Sequence, residues 1–259
     1  MLFVLEGPGP FPAAVIIHGA GTRRRDNGWY LTLTRDLQSE GIVVLLPDKR
    51  GSEKSGGAWR TASLEDLATD TIAAVSFLQR QDNLALSRIG IIGLSQGEQV
   101  APIAESQSND IDFVVNVVGS GVPLRDQLLY EENHNLRQMG FLPGVSNLFA
   151  WFSSSYLVHV GQQDFWEAVG EFDPLPYCEK VTAPTLMLYG AEDTNVNSSK
   201  SAARIRGLAK PNMVVEVFKG SGHALEQPVN MGNQIFRPDA RDRISQFVLE
   251  GGEAVTAPN

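Results

Sequence analysis

The stretch Ile89-Gly90-Ile91-Ile92-Gly93-Leu94-Ser95-Gln96-Gly97-Glu98 decides the fold. Its first six residues form a nearly unbroken apolar run, the pattern of a strand buried on both faces of a parallel sheet. The run closes on Gly93-Leu94-Ser95-Gln96-Gly97, a G-x-S-x-G turn between a predicted strand and a predicted helix. Such a turn is too tight for side chains on both sides of the serine, hence the paired glycines, and it lifts the hydroxyl clear of the sheet. A competing reading makes Ser95 a plain N-cap, because Ser95-Gln96-Gly97-Glu98 also fits the capping box. The two readings differ in where the Ser95 hydroxyl goes.

Residues 13–18, 42–46, 113–118, 185–189 and 213–218 are further continuous apolar runs and are read as strands. Between the second and third strands, Leu64, Leu67, Ala68, Thr71, Ile72, Val75 and Leu78 recur at helical spacing. Ser63 and Asp66 supply the start of that helix. A last helix is expected over 240–249, with a frayed tail from Gly251. Strand–helix–strand alternation implies right-handed crossovers and a doubly wound sheet with helices on both faces. One segment breaks the alternation. Residues 122–180 are rich in aromatics, including Trp151, Phe152, Tyr156, Phe165 and Trp166, in a mostly helical pattern interrupted at Pro143-Gly144 and Gly161. This segment is too long for a simple crossover, so it is read as a helical cap inserted in a core made of 1–121 and 181–259.

Three turns add chemistry to Ser95. His18-Gly19-Ala20-Gly21 ends the first parallel strand, and a glycine-rich turn there can aim backbone N–H groups at an oxyanion. Gly190-Ala191-Glu192-Asp193 brings carboxylates to the carboxyl edge of the sheet, where ligands gather in open α/β folds. Ser221-Gly222-His223 follows the last strand. The order Ser95, Asp193, His223 differs from the orders of the chymotrypsin and subtilisin types. Glu192 takes the acid's place if the turn is shifted by one residue.

These strings together resemble the α/β-hydrolase superfamily, and within it bacterial serine carboxylesterases of the prolyl-oligopeptidase-like branch. The resemblance rests on His18-Gly19-x-Gly21, Arg25-Asp26, Asp48-x-Arg50-Gly51, the serine turn and Ala101-Pro102, and it runs over most of the chain. It implies an α/β-hydrolase fold with a mostly parallel sheet and a helical cap. It also implies hydrolysis of small to medium carboxylic esters through an acyl-enzyme on Ser95, with no cofactor or metal. His223 would be the base and Asp193 its orienting acid, with Ala20 and Gln96 forming the oxyanion hole. Gly19, Gly21, Trp151 and Phe152 would line the substrate site. A peptidase or amidase of the same fold is the alternative, and a non-catalytic binding module has no need of all three residues. Two features depart from the family pattern. Glu98 stands where many relatives carry a second glycine. Only residues 1–6 are available for the antiparallel hairpin that relatives place before the first parallel strand, so that sheet edge is expected to be short, with dimer contacts to cover it.

Composition excludes other classes. The 259-residue chain carries a net charge of −9, which suits neither sequence-blind nucleic-acid binding nor docking on anionic lipid. With one cysteine, Cys178, it can form no intrachain disulfide or zinc cluster of the Cys type. The apolar run from Leu2 to Leu5 is too short for a signal-peptide core, and no stretch reaches the roughly 18–20 residues of a membrane span. A soluble, cytoplasmic protein acting on a small molecule is expected. His18 is read as structural, and His134 and His159 as ordinary residues of the cap. Asp48 to Gly51 are read as loop-bracing and Arg23, Arg24 and Arg25 as solvated. No phosphate-binding glycine motif follows a strand.

Overall fold

The computed structural model describes residues 1–21, 26–226 and 236–252. In chain order the elements begin with β1 (Leu2–Phe3), β2 (Phe11–Ile17), α1 (Gly28–Ser39), β3 (Val43–Leu45), α2 (Leu64–Gln79) and β4 (Leu86–Leu94). Next come α3 (Gln96–Gln107), β5 (Val114–Val117), α4 (Leu124–Gln138), α5 (Pro143–Tyr156), a π-helical turn (Leu157–Gly161), α6 (Gln163–Val169) and α7 (Leu175–Lys180). The chain then returns to the sheet as β6 (Thr185–Gly190), α8 (Ser198–Arg206), β7 (Met213–Phe218) and α9 (Pro238–Leu249).

The strands form one sheet in the order β1-β3-β2-β4-β5-β6-β7. All neighbours are parallel except β1, which runs antiparallel to β3 with Leu2 opposite Leu45. The short N-terminal segment therefore covers the edge of β3 within the same chain. The strand order reverses direction at β2, which lies between β3 and β4. In an open α/β sheet that switch point opens a crevice at the carboxyl ends of the strands. Here the crevice falls between the turn after β2, carrying Gly19 and Ala20, and the turn after β4, carrying Ser95.

The sheet is covered on both faces, as its continuous apolar strands require. Ala13, Val15 and Ile17 of β2 face one core with α2 and α3, while Ala14 and Ile16 face the other with α1 and α9. Every residue of β7 is only half-buried, as befits the far edge. α2 starts with a full capping box, Ser63 accepting from the Asp66 N–H and Asp66 accepting from the Ser63 N–H. Four helices and a π-helical turn lie in the interval between β5 and β6, joined by short irregular segments. No helix among the described residues is long and apolar enough to cross a membrane.

Candidate active site

The serine turn is built by sterics. A Cβ at Gly93 would lie 2.3 Å from the Gly97 carbonyl oxygen, and a Cβ at Gly97 would lie 2.3 Å from that of Ile17. Neither separation occurs in real proteins, so both glycines are obligatory. Ser95 itself adopts φ 55° and ψ −117°. A non-glycine residue there carries about 1–3 kcal/mol of strain, which the surrounding sheet must hold in place. Its N–H donates to the Val117 oxygen at 2.9 Å, which pins the turn to β5. The hydroxyl makes no cap bond to α3, so the plain N-cap reading of Ser95 does not hold.

The hydroxyl instead meets His223. Ser95 Oγ lies 3.1 Å from His223 Nε2, and His223 Nδ1 lies 2.8 Å from Asp193 Oδ2. The other Asp193 oxygen accepts from the N–H groups of Asn195 and Val196, at 2.8 and 2.9 Å. A buried carboxylate fixed by two amides has one free direction, toward the imidazole. Burial pushes the His223 pKa down, but the Asp193 carboxylate, bonded to the ring and charged, outweighs it, and Glu131 adds to the rise. The net shift is upward. Glu192, the neighbour of the acid, turns away and accepts from the Ser221 N–H at 2.9 Å.

Ser95 opens into a pocket of about 270 Å³. Ala20 and Gln96 line it, as do Gln99, Ser120, Gln127, Glu131 and Gln162 on the polar side and Leu124, Leu128, Phe165 and Trp166 on the apolar side. Phe165 and Trp166 reach the pocket, whereas Trp151 and Phe152 do not: they are 57% and 55% exposed on another face of the insertion. Gly19 contributes close packing, since a Cβ there would lie 3.1 Å from the Tyr30 hydroxyl and 3.2 Å from Ser95 Cβ. Its N–H is committed to Tyr30 Oη at 2.9 Å. Gly21 takes φ +81°, the left-handed region that favours glycine, with open space where a Cβ would stand. Arg23, Arg24 and Arg25 lie outside the described residues. A separate cavity of about 270 Å³, lined by Pro47, Arg50, Asp70 and Thr71, holds none of the three hydrogen-bonded residues.

Several residues support the site through contacts that the sequence did not reveal. Lys49 is buried and donates to the Gly19 oxygen at 2.6 Å and to Gln96 Oε1 at 2.8 Å, bridging the two turns that flank Ser95. Arg50, by contrast, pairs with Asp70 and braces its loop. His18 is structural in placement, its Nε2 2.7 Å from the Pro47 oxygen. Glu98 is buried, and its carboxylate accepts from the Gly119 N–H and from Tyr189 Oη. It thereby joins α3 to the ends of β5 and β6. Burial raises its pKa to about 7, with the Tyr189 and Gly119 bonds opposing the rise. From the insertion, Tyr130 Oη donates to the Asp193 backbone oxygen at 3.0 Å, and Asn195 donates to Glu131 at 3.1 Å. Among the described residues, no group of three or more His, Cys, Asp or Glu side chains is placed to hold a metal ion.

Comparison with known proteins adds three findings. A family model described as BAAT / acyl-CoA thioester hydrolase C terminal matches residues 72–255. Esterase EstD of Thermotoga maritima is 23% identical over 234 residues, covering 85% of this chain and 56% of that one. A dipeptidyl peptidase family member of Caenorhabditis elegans is 22% identical over 235 residues, with 87% and 30% covered. The chain thus spans about half or less of the curated relatives it matches. Among solved structures, the Pyrococcus furiosus esterase Pf2001 superposes with a TM-score of 0.68 at 21% identity, over 93% of this chain and 83% of that one. Est1E of Butyrivibrio proteoclasticus, solved with ferulic acid, gives 0.61 at 18% over 93% and 89%. These likenesses establish the α/β-hydrolase fold.

Proposed function

The chain belongs to the BAAT / acyl-CoA thioester hydrolase C-terminal family, and from that membership and its site geometry we propose that it hydrolyses carboxylic esters through an acyl-enzyme on Ser95. The observation that carries the proposal is the unbroken chain from Ser95 Oγ through His223 to Asp193, set at a pocket at the sheet's switch point. His223 Nε2 takes the Ser95 proton as Oγ attacks the ester carbonyl, and Asp193 stabilises the imidazolium. The oxyanion develops toward the N–H groups of Ala20 and Gln96. Gln96 is the first residue of α3, where helix N–H groups lack intrahelical acceptors and the dipole favours negative charge. Each such donor is worth about 3–4 kcal/mol of barrier. Lys49 supports both, through the Gly19 carbonyl and the Gln96 side chain. His223 then returns its proton to the leaving alkoxide. Water attacks the acyl-enzyme by the same route in reverse, freeing the acid and restoring Ser95.

The pocket volume supports short to medium acyl groups, with Phe165 and Trp166 against the chain. The family description also favours a thioester reading, which the same residues serve. Glu131 and Glu132 on the pocket wall favour a neutral or cationic leaving group over the polyanionic coenzyme A. The single thiol, Cys178, is buried, and a reducing compartment such as the cytoplasm is the proposed setting. Matched ester, thioester and amide substrates of rising acyl length test the proposal. The expected ranking is ester first, with turnover falling for long chains and no jump on an emulsion. Faster turnover of the thioester or the amide replaces the ester reading, and absence of fluorophosphonate labelling at Ser95 removes the mechanism.

A further inference from the structure

Helix α5 packs inside out. The residues it buries are Ser146 and Ala150, both small, on the side that packs against α4. Its large apolar side chains face solvent: Leu142 is 72% exposed, Phe149 49% and Tyr156 60%. Leu142, Val145, Phe149, Phe152 and Tyr156 follow one another at alternating steps of three and four residues. That spacing lays them in one stripe, the seam by which two helices interdigitate.

The area is of the size an interface needs. Aromatic rings bury about 150–250 Å² each, so Phe149, Phe152 and Tyr156, each about half exposed, bare on the order of 300 Å² on the stripe. Phe141 and Trp151, whose rings touch Phe149 and Phe152, extend the patch to about 500 Å². Met139, Leu142 and Leu148 carry the total toward the roughly 800 Å² that each partner contributes to a standard interface. The largest apolar patch on a typical monomer is about 300–600 Å². Charge selects the occupant. No Asp, Glu, Lys or Arg occurs between Arg137 and Asp164, in a chain of net charge −9. Two copies would repel over most of their surfaces, yet meet on this face without like-charge contact. An anionic lipid surface would call for basic residues beside the apolar stripe, and α5 has none.

We propose that the chain forms a two-fold symmetric homodimer through the exposed face of α5, with the stripe of one copy packed on the same stripe of the other. An isologous contact of this kind needs only one self-complementary patch. It places the second copy on the insertion, far from the sheet edge that β1 already covers. The proposal stands independently of the reaction at Ser95.

Sedimentation velocity of the full chain over a wide concentration range reads it directly. The expected species has twice the mass of one chain. Phe149→Asp combined with Phe152→Asp is expected to weaken dimerisation by about a hundredfold or more, as loss of central aromatic anchors does. Phe77→Asp, at an exposed apolar site on α2, is expected to leave it unchanged. Should the double variant fail to fold by circular dichroism, Leu142→Asp alone and disulfide trapping of Phe149→Cys replace it, with buried Cys178 unable to compete. A monomer at every concentration overturns the proposal. So does a dimer that survives the charged variants, which uses another face, and so does a monomer that floats with phosphatidylcholine vesicles, which marks a lipid-binding surface.

Discussion

The sheet and the helical insertion use apolar residues in opposite ways. In the sheet, β2, β4 and β5 bury nearly every side chain near the crevice, and the exits of those strands are fixed by packing. In the insertion, α4 buries only Leu124 and α5 only Ser146 and Ala150. A small apolar nucleus of Val158, Trp166, Val169 and Phe172 ties the insertion to the core. The remaining attachments named above are polar: Tyr130 and Glu131 reach the turn that carries Asp193. Strand packing thus sets where the serine turn sits, while the insertion adds a wall with a small apolar anchor and two polar braces on the acid turn.

The sharpest way to break this contrast is at the serine. Ser95→Ala is expected to lower kcat/KM by about 10⁴-fold or more with the fold intact, and Asp193→Asn by about 10⁴-fold. Glu192→Gln, one residue away, is expected to stay within tenfold, because Glu192 bonds Ser221 and not the imidazole. Ester turnover and circular dichroism read all three. Comparable losses for Glu192→Gln and Asp193→Asn would show that the turn is shifted.

A second test sets two tryptophans of the insertion against each other. Trp166→Ala, at the buried nucleus, is expected to cost about 3–5 kcal/mol in urea unfolding. Trp151→Ser, at an exposed position of α5, is expected to change monomer stability by about 0.5 kcal/mol or less. Equal costs would mean that the insertion packs like the core.

A third test sharpens the core side. Because burial holds the Glu98 pKa at about 7 against an ordinary 4.5, the folded chain keeps a proton there that the unfolded chain has lost. Stability therefore falls as pH rises from 4.5 to about 7. The loss is on the order of 3 kcal/mol at the upper end. Glu98→Gln is expected to abolish that slope. A parallel pH dependence in both proteins would remove Glu98 as its source.

The smallest effect links the two regions. The raised pKa of His223 places the acid limb of kcat/KM above the ordinary histidine value of 6.5, since only the neutral ring accepts the Ser95 proton. Glu131 of the insertion contributes to that rise, so Glu131→Gln is expected to move the limb to lower pH. A limb that stays in place would make the insertion electrostatically silent.

Local rules made the core legible in the sequence. The β7 run at 213–218 matches the strand residue for residue, because both ends are marked by a change of pattern. β4 starts three residues before the expected Ile89, at Leu86, where Leu86-Ser87-Arg88 reaches solvent and its apolar signal breaks. Gly93 was readable because its constraint, the Gly97 carbonyl, lies within five residues, whereas Gly97 is constrained by the distant Ile17 carbonyl and was readable only through the spacing of the motif. Contacts between distant residues left no such trace: Tyr189 meets Glu98 across 91 positions, and Tyr130 meets Asp193 across 63. The aromatics of the insertion misdirected the reading of the pocket for another reason. Helical periodicity reveals that a face is apolar, but not whether the protein or the solvent lies against it. Trp151 and Phe152 carry the same sequence signal as Phe165 and Trp166 and take the opposite side.

The two bonds from α4 to the acid turn bear on how such a fold can diversify. Insertions that set substrate choice are natural units of exchange between relatives on a shared scaffold. In this chain the exchange is not clean, because Tyr130 and Glu131 hold Asp193 and Asn195 from inside the transferable piece. A graft that brought in a new wall without equivalents at those two positions would loosen the acid along with the pocket. The heritable module is therefore the insertion together with the turn at 190–196, and lineages that swap one without the other should carry compensating changes in the partner segment.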